Sequence, residues 1–482
     1  MTDEKHSSTT QRLDEASSGA LLEASSTQSV GAKPTIAVVG SGPSGCYISS
    51  FLEKKWPGSE IAVFESMPTP YGLVRYGIAA DHQGTKNVTR QFDRLFTKGN
   101  VRFVGNVCVG TDIEFSTLAE AFDIVVLATG LPEDRPLDVP TQAGARVIGA
   151  GTLLRALNGY PTRTIPCDPD GRYTPLGQQL AVVGMGNVAL DVVRLMSKDP
   201  HEFEGSDIDD ELLAQLRPNR PNSIDVISRS GLALAKFDYA MLRELLSLPN
   251  IDVTVIGLGD NATGPAAELL RTHVDTAEDP PSTDQVRTHV RLHFQLSPES
   301  ITTSGDRTIL RVSTPYGSDA TTDLVVDTVI TAIGFTHGDQ QDLSSPTGDW
   351  SGDNVYRVGW LSRGPHGAIP ENRKDAMQVV ERIADDVISG RLKIGKAGYA
   401  VVGPLLRSVV SFADWQRIEA LEQQEALPGR CRRKVTDRER MLSIATSAIS
   451  SGTASESDTD MPVTRTAGAV RTHQQPTRES DQ

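Results

Sequence analysis

One pattern restricts this chain more than any other, and the chain uses it twice: a short apolar run, glycines at fixed spacing, then helical periodicity. It begins at Ala37, in "AVVGSGPSGCYIS", and again at Ala181, in "AVVGMGNVALDVV". In the first copy the residues before Gly40 read as a buried strand, and Gly40, Gly42 and Gly45 make GxGxxG. The first glycine of such a turn permits the bend, the second lets backbone approach a diphosphate, and the third lets helix and strand pack closely. The helix N-terminus adds N–H donors and the positive end of its dipole. Tyr47, Ile48, Phe51 and Leu52 recur at helical spacing, and a second strand, "IAVFE", ends in Glu65, where a ribose diol would be hydrogen-bonded. Strand, turn, helix, strand and acid together predict a dinucleotide site.

The second copy has Gly184, Gly186 and Ala189, a GxGxxA turn, with Asn187 and Val188 opening the helix beside the expected phosphates. Its next strand, "SIDVIS", leads to Arg229 and Ser230 rather than to an acid. A carboxylate there would repel a 2′-phosphate, whereas a guanidinium can hold one through charge-assisted hydrogen bonds. The second site therefore leans towards NADP(H), with NAD(H) open. Two further strands, in "FDIVVLATG" and "DTVITAIGF", end in Ala128-Thr129-Gly130 and Ala332-Ile333-Gly334. Small residues at these ends let backbone lie against a cofactor, and both are expected to complete the first site.

Composition removes several function classes. A formal charge of −15 argues against a nucleic-acid binder, and no apolar run approaches the roughly 18 residues of a membrane span. Cys46, Cys108, Cys167 and Cys431 are scattered, with no CxxC pair for a zinc site, a disulfide framework or a redox dithiol. A reducing, cytoplasmic setting follows. His289 and His293 are four apart, but "HVRLHFQL" alternates like a half-buried strand, which favours a solvated strand face over a metal site.

Residues 1–33 and the tail from 446 to 482 are rich in Ser, Thr and Glu and read as disordered. Acidic residues in the first segment argue against a transit peptide, and it has no secretory apolar core. Between the tails, strands and helices alternate, so the expected class is α/β with parallel sheets. The acidic stretch "SKDPHEFEGSDIDDELLAQLRPNRPNS" reads as a surface helix and loop, and 259–286 as a helix followed by a loop. "VRLHFQLSPESI", "TILRVSTPYG" and "DLVVDTVITAIG" read as an antiparallel ribbon returning to a sheet.

With "PYGLVRYGIAADH" (70–82), "GNVALDVVRLM" (186–196) and "GWLSRGPHGAI" (359–369) in that order, the chain resembles the adrenodoxin reductase-type ferredoxin–NADP(+) reductases from about Thr35 to Leu442. A late "WQRIEALE…GRCRRK" stretch is similar to that family's C-terminal segment. The resemblance implies two Rossmann-like dinucleotide-binding domains, an NADP domain (143–325) inserted into a discontinuous FAD domain (34–142 and 326–445). It places FAD in the first turn, with Ser44 in the turn and Glu65 on the adenosine ribose. Leu73, Val109, Trp360 and the Gly367-Ala368-Ile369 run lie beside the flavin. His82 and Asp191 correspond to polar residues at the nicotinamide–flavin contact and are the catalytic candidates.

The implied activity takes hydride from NADPH onto FAD and passes single electrons to a ferredoxin-type iron–sulfur protein. Such partners are usually acidic, so a local basic patch is expected, with Arg243 and Arg363 as candidates. The family has two adjacent arginines where this chain has Arg229 and Ser230. A family Glu on the next helix is Met241 in "FDYAMLREL", and a family Pro is Ala80. The first two changes remove a cation and a polar contact from the NADP(H) pocket and leave coenzyme preference open. Alternatives are a flavoenzyme of the same architecture acting on a small organic substrate or acceptor, and a flavin-binding module without turnover. A dithiol–disulfide reductase is disfavoured by the unpaired cysteines.

Overall fold

The strand that leads into each glycine turn sits inside an all-parallel sheet. The structure, a computed structural model, describes residues 33–98, 100–162, 165–273, 287–314, 321–337, 350–367 and 369–447. Apart from Lys33, Thr446 and Ser447, the two polar tails lie outside these residues, as does 274–286. In chain order, β1 (Ile36–Val39), β2 (Ile61–Glu65), β3 (Val101–Gly105) and β4 (Ile124–Leu127) come first. A short β5 (Glu133–Asp134) leads to β6 (Val147–Gly149), β7 (Gln179–Val183), β8 (Ser223–Ile227), β9 (Ile251–Ile256) and β10 (Thr288–His293). The strands β11 (Ser297–Ser304), β12 (Arg307–Ser313) and β13 (Thr321–Val326) follow, then β14 (Thr328–Thr331), β15 (Phe335–Thr336) and β16 (Val355–Arg357).

The first sheet has the order β16-β4-β1-β2-β3 and the second β6-β14-β7-β8-β10-β9. Every pairing in both is parallel. Strands covered on both faces read as continuous apolar runs, and β1, "IAVV", is buried at every position. The chain leaves the first sheet after β4, builds the second, and returns through β16, which pairs with β4. The helix Ile369–Ile388 then packs on α1 (Pro43–Lys55), the helix that follows the first turn. The result is a doubly built α/β molecule with an insertion, as the family resemblance implied. Because β14 pairs with β7, the second sheet draws on residues beyond the boundary expected after 325.

Two readings of local structure need correction. The expected ribbon begins too early: β10 is a parallel strand between β8 and β9, and of the strands read into the ribbon β11, β12 and β13 pair antiparallel while β14 is parallel. Alternation identifies a strand but not its partner, and the reversal falls after β10, where Gln295 takes φ +56°. The acidic excursion is also less superficial than its charge suggests. It turns Phe203, Ile208, Leu212, Leu213 and Leu216 into the core of the second unit. It also buries Asp207, 5% exposed, between two lysines: Lys86 at 2.7 Å and Lys434 at 2.9 Å. No helix among the described residues is long and apolar enough to cross a membrane.

The Asp207 cluster fastens three distant segments. Lys86 follows the 70–82 motif, Asp207 belongs to the second unit, and Lys434 comes from the C-terminal stretch. Arg75 and Glu422 form a neighbouring buried pair at 2.5 Å, and Lys434 donates to the Arg75 carbonyl at 3.0 Å. Burial alone would raise the Asp207 pKa, but Lys434 and Lys86 together hold it well below the ordinary carboxylate range. Replacing Asp207 with Ala leaves two buried ammonium groups without their counter-charge and should cost ~3–5 kcal/mol of unfolding free energy at pH 7. A carboxyl with a depressed folded-state pKa stabilises above its unfolded value of about 3.9 and loses that contribution as pH falls below it. Denaturant unfolding of both proteins should therefore show a constant gap from pH 7 to about pH 5 and a narrowing one as pH falls below about 4.

Candidate functional site

Each glycine turn is pressed against the end of a neighbouring strand. Gly40 takes φ +103°, and a Cβ there would come 2.6 Å from the Ala128 carbonyl oxygen, just past β4. Gly184 takes φ +116°, and a Cβ there would collide with the Ala332 carbonyl, just past β14. The Ala128 strand end thus belongs to the first turn, as expected. Ala332 does not: it lies against the second turn, because β14 is a strand of the second sheet. Gly45 packs on the Gly40 carbonyl so closely that no Cβ fits. Gly42 has nothing within 4 Å of a built Cβ, and Gly186 meets only the Lys236 carbonyl at 3.6 Å. The middle glycines therefore face open cradles, where backbone N–H groups are free to meet phosphate oxygens.

Around the first turn, Ser44 is buried against Gly359, which has no room for a side chain. The Gly359 N–H donates to Asp375 at 2.5 Å. Glu65, at the end of β2, accepts from the Ser41 N–H (3.1 Å), the Ser41 hydroxyl (2.6 Å), the Met67 N–H (3.1 Å) and the Ser66 hydroxyl (3.2 Å). The 70–82 motif seats itself on this turn: the Tyr71 N–H donates to the Ser41 carbonyl at 3.2 Å, bringing half-buried Leu73 close by. Val109 is buried in the loop after β3. Trp360 stacks on Phe335 at 5.5 Å between centroids. The Trp360 Nε1 and the Thr129 hydroxyl are buried without a hydrogen-bond partner, a cost of ~1–3 kcal/mol each that a bound acceptor-rich group can offset. Gly367 and Ile369 lead into the long helix on α1, and Ala368 lies outside the described residues. An open glycine cradle, unpartnered donors and an aromatic wall fit a flavin dinucleotide.

The second turn opens α2 (Asn187–Ser197). Asn187 does not point a free amide at the cradle, for it exchanges hydrogen bonds with Asp238 at 2.6 and 2.7 Å. Val188 is half-buried against the second core. Past β8, Arg229 is exposed and Ser230 half-buried.

Between the turns lie His82 and Asp191, which the structure brings together: His82 Nδ1 is 3.5 Å from Asp191 Oδ1. On its other side His82 Nε2 lies 3.1 and 3.2 Å from the two carboxylate oxygens of Glu244, on α3 (Tyr239–Leu246). Glu244 was missed by sequence reasoning, which named Met241 and Arg243 on that helix but not the acid beside them. Met241 and Glu244 are three residues apart and share a helical face, so the polar contact was legible one turn on. Arg194 and Asp81 were missed as well. The Arg194 guanidinium, 1% exposed, holds Asp191 at 2.7 Å and also binds Asp81, which Lys198 reaches at 2.5 Å. Burial raises the Asp191 pKa despite Arg194 and His82. Burial also opposes ionisation of Asp81, yet Arg194 and Lys198 lower its pKa overall.

The turns separate glycines that the fold needs from glycines that a ligand needs. Thermal unfolding of Gly184→Ala should show a loss of ~2 kcal/mol or more from backbone collision and strain. Gly186→Ala should stay within ~1 kcal/mol of the parent while its nicotinamide coenzyme affinity falls. Equal stability losses in both would remove the cradle assignment.

The chain is 41% identical over 433 residues to cindoxin reductase of Citrobacter braakii, spanning 86% of this chain and 91% of that protein. It is 31% identical over 456 residues to the mitochondrial NADPH:adrenodoxin oxidoreductase of Homo sapiens, spanning 85% and 91% respectively. The solved structure of Mycobacterium tuberculosis FprA in complex with NADPH superposes with a TM-score of 0.72 at 28% identity, covering 86% of this chain and 99% of that one. No protein-family model matches the chain.

Proposed function

Because the chain belongs to the adrenodoxin reductase-type ferredoxin–NADP(+) reductase family, we propose that it uses its two glycine turns to bring NADPH against a flavin. It is an FAD-dependent oxidoreductase that takes hydride from NADPH. Bound FAD supplies the redox chemistry, accepting two electrons and releasing them singly. The chain's own part is binding, alignment and exclusion of water.

Gly40, Gly42, Ser44 and Gly45 hold the FAD diphosphate, with the N-terminus of α1 behind it, and Glu65 takes the adenosine ribose. Leu73, Val109, Trp360, Gly367 and Ile369 line the isoalloxazine. Gly184, Gly186 and the start of α2, with Asn187 and Val188, hold the NADP(H) diphosphate. Arg229, with Ser230 beside it, takes the 2′-phosphate. His82 and Asp191 orient the nicotinamide. One observation carries this reading: the 3.5 Å contact of His82 with Asp191 joins the motif seated on the first turn to the helix that opens the second.

The acceptor we infer is a ferredoxin-type iron–sulfur protein, in keeping with the family. With the chain at −15 overall, docking of an acidic partner falls to local cations. Arg243 is exposed on α3, close in sequence to Glu244. Arg363 is half-buried, and its guanidinium binds the His366 carbonyl and the Asn372 side chain, so Arg243 is the better placed of the two. The four free cysteines agree with a reducing, cytoplasmic setting.

Anaerobic mixing with NADPH should bleach the flavin band, and ferredoxin-dependent cytochrome c reduction should follow. Bleaching without any ferredoxin effect would move the assignment to an enzyme with a small acceptor. Arg229→Ala removes a charge-assisted contact worth ~1.5–3 kcal/mol. KM for NADPH should therefore rise at least about tenfold, with KM for NADH little changed. Equal rises for both coenzymes would remove Arg229 from the 2′-phosphate.

A further inference from the structure

His82, Asp191, Arg194 and Glu244 close a ring. His82 faces Asp191 at 3.5 Å and Glu244 at 3.1 Å. Arg194 completes the circuit from behind, 2.7 Å from Asp191 and 3.4 Å from Glu244. A fifth residue, Asp81, adjoins His82 in sequence and binds both Arg194 and Lys198. The ring therefore draws on three segments: the loop ending the 70–82 motif, α2 and α3. Each carboxylate that touches His82 is also held by the one guanidinium.

We propose that Arg194 is a positioning residue for hydride transfer. It fixes the Asp191 and Glu244 carboxylates, and through them the plane and placement of the His82 imidazole. Its side chain is 1% exposed, so it acts through those carboxylates rather than by touching a coenzyme. Arginine suits the task because its planar fork presents several donors in fixed directions, whereas an ammonium is a point charge that cannot hold three carboxylates in one geometry. Asp81 adds a lock on the loop itself: if the loop slid, the Asp81–Arg194 pair and both His82 contacts would break together. This inference rests on the reading that His82 and Asp191 orient the nicotinamide.

The test uses Arg194→Ala and Arg194→Lys in the flavin-loaded protein. Stopped-flow flavin reduction by NADPH should slow roughly 100-fold in Arg194→Ala, the scale expected when reacting groups are misplaced by about 1 Å. The Kd for NADP+ should change less than about threefold, since no coenzyme contact is removed. Arg194→Lys should regain part of the lost rate. Ring-nitrogen NMR correlations of His82, identified by their absence in His82→Gln, should move in Arg194→Ala while those of His289 stay in place.

A folded Arg194→Ala protein that reduces flavin at the parent rate overturns the proposal. So does a loss confined to NADP+ affinity, or a His82 pattern that does not move. If Arg194→Ala does not fold, Arg194→Lys decides alone: a slower reduction with moved His82 signals supports the role, and parent-like values on both overturn it. Should the parent protein itself fail to bleach with NADPH, the functional reading fails. The His82 signals then still report whether Arg194 holds the imidazole.

Discussion

The relative placement of the two dinucleotide turns is fixed by backbone. Gly40 lies against the carbonyl of Ala128 and Gly184 against that of Ala332, at separations that exclude any side chain. The chain leaving Ala128 runs directly into β5, and the chain leaving Ala332 runs into β15. Those two strands pair with each other, Asp134 opposite Phe335. A continuous path of main chain and main-chain hydrogen bonds therefore runs from one turn to the other. Asp134 strengthens its middle by accepting from the Gly151 and Thr152 N–H groups, each at 2.7 Å, at the start of a helix in the second unit. Main-chain geometry is stiffer than side-chain packing, so this path sets how two bound dinucleotides approach.

Side chains add a second tie on the other side of the 70–82 motif. Arg75 with Glu422, and Asp207 with Lys86 and Lys434, place buried charges where three segments meet. Buried ion pairs contribute little net stability compared with apolar packing of the same volume, because desolvation offsets their attraction. Their effect is directional. Apolar surfaces tolerate sliding, whereas an ammonium held by Asp207 and Asn158 at 2.7 and 2.6 Å does not. The C-terminal stretch, with Trp415 buried among Tyr71 and Arg75, thereby holds the motif that seats on the first turn.

How much of this was legible follows from what each signal encodes. Glycine spacing and apolar runs encode a strand–turn–helix unit, and both units stand where the sequence placed them. The insertion was legible only through the family resemblance that the motifs carry. Strand partners were not: β10 alternates like an edge or ribbon strand, yet Val290 and Leu292 are wholly buried in a parallel sheet. The Ala332 end went to the wrong turn for the same reason, since nothing in "DTVITAIGF" states which sheet β14 joins. Glu244 escaped because attention to Met241 followed position rather than helical face. Arg194 lay within a recognised motif, but its three carboxylates come from different segments, a convergence that only the folded chain reveals. The charge of the 197–223 stretch concealed its buried apolar side.

Two scales of control emerge. The β5–β15 pairing ties the two units through main chain, and in the proposed reading the ion ring around His82 sets the finer register at the contact. Of the residues that depart from the family pattern, Ser230 and Met241 belong to neither, whereas Ala80 adjoins Asp81 in the loop that feeds the ring. Ser230, proposed above for the coenzyme's outer end, follows β8 with its carbonyl held by the Ser228 hydroxyl at 2.8 Å. Met241 packs against the core of the second unit while Glu244, one turn later on the same helix, makes the polar contact. On that proposal, a change at 230 bears on which coenzyme is held without disturbing the His82, Asp191 and Glu244 contacts. The proposed roles make coenzyme choice and hydride geometry separable in this chain, because the first falls to the strand end after β8 and the second to a closed circuit of charges around His82.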